Sequence, residues 1–149
     1  MRRDRQRVTE AIVVAATFSG APSTLHALLT KGGFRSAIDY VYDATSAVGT
    51  LVPPGRPGFM RGAIVHAGIS AACGEALART LPQRHAVAWG SAAGLAIGVI
   101  NLGIIGRRFP AIRALPLIPG LADNVAFGAL FALVADRRLR GTAAADAAP

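Results

Sequence analysis

The sequence predicts an all-α fold: a polytopic transmembrane helical bundle with about four spans and one further amphipathic or re-entrant helix. Two observations carry this prediction. Hydrophobic residues make up 52% of the 149 residues, which is more than a typical soluble domain contains. Residues 11–30 and 86–106 have no charged side chain, and residues 62–78 have only Glu75. Three windows therefore approach the roughly 20 apolar residues that cross a bilayer.

The predicted elements follow in order along the chain. A first span covers about residues 8–30 and ends at the sequence TKGG, where a charge and two glycines break a helix. Further spans cover about residues 59–79, 86–106 and 119–136, and a connector rich in proline leads into the last of them. Residues 1–140 are predicted to form a single transmembrane domain, followed by a disordered tail of small residues at 141–149.

The segment at residues 36–53 allows two interpretations. One helical face carries its polar members, which are Asp39, Asp43, Ser46 and Thr50, and apolar residues line the other face. Such a helix either lies at the membrane interface or crosses with its polar stripe turned inward. Four spans are favoured over five because two aspartates are costly in a spanning helix.

The net charge of +8 comes largely from arginines at the ends of the apolar runs, within residues 2–7, 107–108 and 137–140. This placement suits anionic lipid headgroups. A basic stripe interleaved with aromatic residues, which would indicate nucleic acid, is not found in the sequence. The predicted partners are therefore membrane lipids and either further copies of the chain or another membrane subunit, with no nucleic acid.

The sequence FSGAPSTLH, residues 18–26, places polar groups in the middle of the first span. At about 100° per residue, Ser19, Ser23 and His26 fall on one face with Pro22 beside them. Pro22 has no amide hydrogen to donate to the carbonyl of Phe18, so a kink is expected. The stripe is predicted to face the protein interior, either as hydrogen bonds that pack helices or as a proton or ligand pathway through His26.

Two faces of small residues predict close helix packing. Gly90, Gly94 and Gly98 repeat every four residues, and Asn101 lies on the same face, where it is expected to hydrogen-bond across the contact. The preceding span has a similar row, made of Gly62, His66, Ser70 and Gly74. The two faces are predicted to pack on each other, with a helix of another subunit as the alternative partner for the glycines.

The histidines and aspartates could also meet. His66 is predicted either as a satisfied interhelical histidine or as half of a site with His26. With Asp39 and Asp43 they would form a candidate polar pathway or a zinc site. Their spacing matches no metal motif, so neither a metal nor a cofactor is predicted.

Three further polar groups have structural interpretations. Glu75 and Arg79 are four residues apart and are predicted to form an ion pair near the interface. Asp123 and Asn124 fall in the first turn of the predicted last span, where side chains of these types cap a helix. The single cysteine, Cys73, is predicted to be a small packing residue.

At FSGAPSTLHALLT and at NLGIIGRRFPAIRALPLIPGLADNVAFGAL the chain resembles a group of small bacterial integral membrane proteins with about four spans and no assigned activity. Together these segments cover under a third of the chain. The resemblance implies a multi-pass helical bundle in the bacterial cytoplasmic (inner) membrane and brings no activity with it. The pattern also leads us to expect a histidine near Asn124, which this sequence lacks.

Two functional hypotheses remain from the sequence. Sequence patterns of the GxSxG, HExxH, P-loop or CxxC type are absent, which makes an enzyme the least supported class. The first hypothesis is a non-catalytic accessory or assembly subunit or homo-oligomer. The second is a small transporter or proton-linked conduit that uses intramembrane histidine and aspartate residues. The small size favours the first, because one chain has few helices with which to enclose a pathway.

Overall fold

The structure, a computed structural model, describes residues 2–30 and 32–146. All regular elements in these ranges are helices, which confirms the all-α class. The main helices are α1 (Arg2–Phe18), α2 (Ala21–Thr30), α3 (Phe34–Val48), α4 (Phe59–Thr80), α5 (Ala86–Gly98), α6 (Pro110–Arg113) and α7 (Leu117–Asp146). A 3₁₀ turn, Gly49–Leu51, follows α3, while a π-helical segment, Val99–Ile105, and a second 3₁₀ turn, Gly106–Arg108, extend α5.

Three helical stretches in the described ranges are long and apolar enough to cross a membrane. They are Arg5–Thr30, which combines α1 and α2, then Ala86–Arg108, and Leu117–Ala135 within α7. Helix α4 has 22 residues but does not belong to this set. It carries Arg61, His66, Glu75 and Arg79, which lower its mean hydropathy. The fold is therefore a helical bundle with three such helices, and the predicted count of four spans is not confirmed.

The sizes of the buried and exposed apolar side chains are the reverse of those in a soluble protein. The buried positions are dominated by alanine, glycine, serine and threonine, and Phe131 is the one large side chain among the described residues that is fully buried. Large apolar side chains point outward, as Leu29 and Ile118 do with 73% and 79% of their surface exposed. Small residues at helix contacts and large apolar residues outside are the arrangement that a lipid environment favours.

Helices α5 and α7 pack antiparallel through glycine. A Cβ atom added to Gly94 would overlap the backbone oxygen of Asn124, and one added to Gly90 would overlap that of Gly128. A Cβ atom at Gly98 would lie 3.0 Å from the Cβ of Asn124. The close approach agrees with the spacing of the glycines, but its partner is α7 of the same chain. The prediction that the glycines pack on α4 is therefore wrong.

The small-residue face of α4 contacts two other helices. Gly62 lies against the backbone carbonyl of Thr45 in α3, and Gly74 lies against the side chain of Ile12 in α1, while Ser70 is buried between these two positions. α4 meets α3 and α1 because it follows α3 through a short connection and runs antiparallel to α1.

Helix α3 turns its apolar side outward. Phe34, Ile38 and Tyr42 are exposed, whereas Ser46 and Thr50 are buried. Asp39 and Asp43 are also exposed, so half of the polar stripe predicted for residues 36–53 faces outward. Neither of the two interpretations for this segment is confirmed. At the other end of the chain, α7 runs to Asp146, past residue 141, where the disordered tail is predicted to begin. Residues 147–149 lie outside the described residues, and the disorder stays a prediction.

Candidate functional site

The candidate site lies where the first apolar stretch breaks into two helices. α1 ends at Phe18 and α2 begins at Ala21. The amide of Ser19 still donates to the carbonyl of Ala15 at 2.9 Å, and the amide of Thr24 donates to the carbonyl of Gly20 at 3.0 Å. Pro22 has no amide hydrogen, so the regular pattern cannot pass through this turn. The break leaves backbone groups that must find partners on other helices.

Asp123 of α7 supplies the first partner. The backbone amide of Ser23 donates a hydrogen bond to Oδ1 of Asp123 at 2.9 Å, across 100 residues of sequence. In an unbroken helix this amide would donate to the carbonyl of Ser19. The carboxylate also faces the N-terminus of α2, where the helix dipole favours negative charge. Asp123 therefore caps α2 from another helix.

The role of Asp123 differs from the predicted one because α7 begins earlier than the predicted span. Its first residue is Leu117, so Asp123 lies in the second turn, too far along to cap its own helix. The neighbouring Asn124 stays local, since its side-chain amide donates to the carbonyl of Gly120 at 2.8 Å. The sequence feature that could have identified Asp123 as a site residue is that it is the one carboxylate in an otherwise uncharged apolar span.

His66 of α4 supplies the second partner. Its Nε2 atom lies 3.5 Å from the backbone oxygen of Ala16, which belongs to the last turn of α1, where carbonyls lack a partner within the helix. His66 and Asp123 also attract each other electrostatically. Two ionisable side chains from two helices, the exposed His66 and the half-buried Asp123, therefore lie near the break between α1 and α2.

Tyr40 of α3 completes the cluster from a third helix. Its side chain is 8% exposed and shares a hydrogen bond with the side chain of Ser23. Burial raises the pKa of the Tyr40 phenol, the hydrogen bond to Ser23 lowers it, and the negative charge of Asp123 raises it. The net direction is upward, so the phenol keeps its proton at physiological pH. We call Ser23, Tyr40, His66 and Asp123 the break-site cluster.

Of the three residues predicted to form the polar stripe of the first span, two are buried at this break and one is exposed. Ser19 and Ser23 are buried, with 5% and 4% of their surface exposed, but His26 is exposed. The buried row of the two helices takes every fourth residue, at Ala15, Ser19, Ser23 and Ala27. Steps of four residues advance about 40° around a helix each time. By residue 26 the buried row has therefore moved away from the histidine.

Asp39 and Asp43 lie elsewhere, in an open cleft between α3 and the connector around α6. The cleft has a volume of about 480 Å³, and its lining also includes Ser36, Tyr40, Leu115 and Pro116. Both aspartates are exposed. Tyr40 is shared between the cleft and the break-site cluster. Among the described residues, no group of three or more histidine, cysteine, aspartate or glutamate side chains could hold a metal ion.

The remaining predicted residues lie outside the break-site cluster. Arg79 and Glu75 form an ion pair at 3.2 Å on the exposed side of α4. Asn101 lies in the π-helical segment, where its backbone oxygen accepts a hydrogen bond from the amide of Gly106; the predicted side-chain hydrogen bond across the glycine contact is not confirmed. Cys73 is half-buried and packs on the core of Ala11, Leu77 and Phe131.

No protein-family model matches the chain, and no curated protein and no solved structure is significantly similar to it.

Proposed function

We propose that the protein is a small proton-linked conduit or transporter of the bacterial inner membrane, with four spans, and that protons pass through the break-site cluster. The observation that supports this most is the hydrogen bond from Ser23 to Asp123 at the broken first span. Ionisable side chains within spans are costly and are kept where they serve transport or proton transfer. Broken helices that present backbone groups to a site are typical of transporters.

The alternative, a non-catalytic accessory or assembly subunit or homo-oligomer, has lost part of its support. One of its arguments was a glycine face that could pack on another subunit, and the other was the small number of helices in one chain, which is unchanged. Helix α7 of the same chain occupies that face at Gly90 and Gly94, so the glycines require no second subunit. The break-site cluster, in contrast, brings an aspartate, a histidine and a tyrosine from three helices to one place.

The fourth span in this proposal is α4. Its 22 residues reach about 33 Å, which matches the hydrocarbon core of a bilayer. Its charges lie toward its ends, with Arg61 near the start and the pair of Glu75 and Arg79 near the other end, where long side chains reach the interface. The inner membrane is supported by the sequence resemblance and by the arginines that flank the apolar stretches.

Cysteine labelling tests the span count. In a Cys73→Ser background, we expect Arg56→Cys and Arg84→Cys, which precede and follow α4, to react with a membrane-impermeant maleimide from opposite sides of the membrane. Both arginines are exposed, so access to the reagent is matched between them. Labelling of both positions from the same side would show that α4 does not cross, and the four-span proposal would fall.

Proton flux tests the function. The purified protein is reconstituted in vesicles of phosphatidylethanolamine and phosphatidylglycerol with an internal pH-sensitive dye, and a potassium diffusion potential drives proton entry. We expect the wild-type protein to acidify the vesicles faster than empty vesicles. His66→Gln should slow this several-fold, because His66 lies at the break.

The matched control is His26→Gln, because both histidines are exposed but His26 lies outside the cluster, and this variant should leave the flux unchanged. A wild-type rate equal to that of empty vesicles would overturn the conduit and favour the accessory hypothesis. Equal losses in the two histidine variants would remove the break-site cluster from the pathway.

A further inference from the structure

Helix α2 is a short rigid element between two glycine joints. Gly20 precedes it, and a Cβ atom at this position would meet nothing within 4 Å. Gly32 and Gly33 follow it with φ values of 87° and 129°, a conformation that glycine adopts without strain. Joints of this kind allow a helix to move as a unit, because a few backbone angles absorb the change.

The N-terminus of this helix is held by Asp123. The amide of Ser23 donates to Oδ1 of Asp123 at 2.9 Å, and the Ser23 hydroxyl also interacts with the carboxylate. Hydrogen bonds to an ionised carboxylate are stronger than those to a neutral acid. The attraction between the carboxylate and the positive end of the helix dipole likewise disappears when the acid is protonated. Protonation of Asp123 therefore weakens both the hydrogen bond and the attraction to the helix dipole that hold α2.

The titratable groups that face Asp123 come from two other helices. His66 of α4 interacts with it as an opposite charge when protonated, and Tyr40 of α3 is affected by its negative charge. The faces that α1 and α5 turn to this part of α7 consist of small residues, including Ala15, Gly94 and Gly98, and contribute no titratable group among the described residues. Of these two neighbours, His66 carries the basic side chain.

We propose that Asp123 is a proton-controlled latch on α2: the ionised carboxylate holds the N-terminus of α2 against α7, and protonation releases it. The release turns α2 about Gly20 and Gly32–Gly33, while α5 and α7 stay packed through their glycines. This inference rests on the proposed function, because it describes how proton binding at the break-site cluster changes the shape of the pathway. The latch itself requires only the bond between Ser23 and Asp123.

Distance measurements between spin labels test the latch. In a Cys73→Ser background, labels are placed at Leu25 of α2 and Ile118 of α7, which are both exposed. The protein is studied in lipid nanodiscs at pH 8 and pH 4.5. We expect the distance distribution between these labels to shift or broaden at low pH. A control pair at Ile104 and Ile118, which joins the α5 extension to α7, should keep the same distribution at both pH values.

The variant Asp123→Asn supplies a neutral side chain at every pH. It should show the low-pH distribution between Leu25 and Ile118 even at pH 8, with normal gel-filtration behaviour as the check on folding. If the variant does not fold, the pH comparison in the wild-type protein still decides. The latch is overturned if the distribution between Leu25 and Ile118 is the same at both pH values, or if a folded Asp123→Asn variant gives the wild-type distribution at pH 8.

The latch and the conduit can fail separately. Movement of α2 in a protein that passes no protons would leave the latch standing and overturn the proposed function. Proton flux that depends on His66, without movement of α2, would leave the function standing and overturn the latch.

Discussion

Replacing Gly94 by alanine is expected to destabilise the protein by about 3 kcal/mol, the upper part of the usual range for overpacking. The added methyl group would overlap the backbone oxygen of Asn124. Backbone atoms in the middle of α7 cannot rotate away as a side chain can, so the two helices must separate. Separation would also open the contacts at Gly90 and Gly98, which lie one turn away on either side. The measurement is thermal unfolding in detergent, followed by the loss of monodisperse protein on gel filtration.

The matched control is Gly68→Ala in α4. A Cβ atom at Gly68 would meet nothing within 4 Å, and alanine has the higher helix propensity, by up to roughly 1 kcal/mol. Gly68→Ala should therefore leave the unfolding temperature unchanged or raise it. Equal stability of the two variants would contradict a close contact between α5 and α7 in the folded protein.

The glycine row illustrates how far sequence reasoning reaches into this fold. A spacing of four residues determines which face of α5 has no side chains, because residues four apart lie on the same side of a helix. It carries no information about the identity of the opposing helix. The structure has α7 there, since Gly128 provides the reciprocal gap against Gly90. In α7, Gly120 and Gly128 are eight residues apart with Asn124 between them, so they form no row of glycines at four-residue spacing, which explains why the prediction selected α4 instead.

The polar stripe of the first span shows a different limit. Its hydroxyl groups at Ser19 and Ser23 are buried as expected, but a helical wheel assumes an unbroken helix and a fixed face. The break after Phe18 and the drift of the buried row place His26 outside the interior. The group that meets Ser23 is Asp123, and 100 residues separate the two in sequence. Local periodicity cannot predict such a pair, because it depends on the order in which the helices assemble.

Substitutions at Asp123 should separate the structural role of this residue from its role in proton transfer. Asp123→Leu removes the acceptor for the Ser23 amide and leaves a buried donor without a partner. Such a loss costs about 1–3 kcal/mol, and the favourable interaction with the dipole of α2 is lost as well. We expect a lower unfolding temperature and no proton flux from Asp123→Leu.

Asp123→Asn places a neutral oxygen at this position, which, like that of the protonated acid, accepts a weaker hydrogen bond from Ser23 than the carboxylate does. The donor is not left without a partner, but the side chain cannot bind or release a proton at physiological pH. We expect this variant to unfold at a temperature close to that of the wild-type protein and to reduce proton flux at least tenfold in the vesicle assay. Asp43→Asn, on the exposed cleft, is the control for the loss of one carboxylate and should change neither quantity.

The three variants give a pattern that a purely structural Asp123 could not produce. If the residue served only to cap α2, flux would follow stability, and Asp123→Asn would conduct like the wild-type protein. Loss of flux with stability retained requires the charge and the titration of the carboxylate, whether through proton transfer or through the latch on α2, because the asparagine side chain itself differs hardly in shape from the aspartate. A stable Asp123→Asn variant with full flux would therefore remove Asp123 from the pathway and leave it as a helix cap.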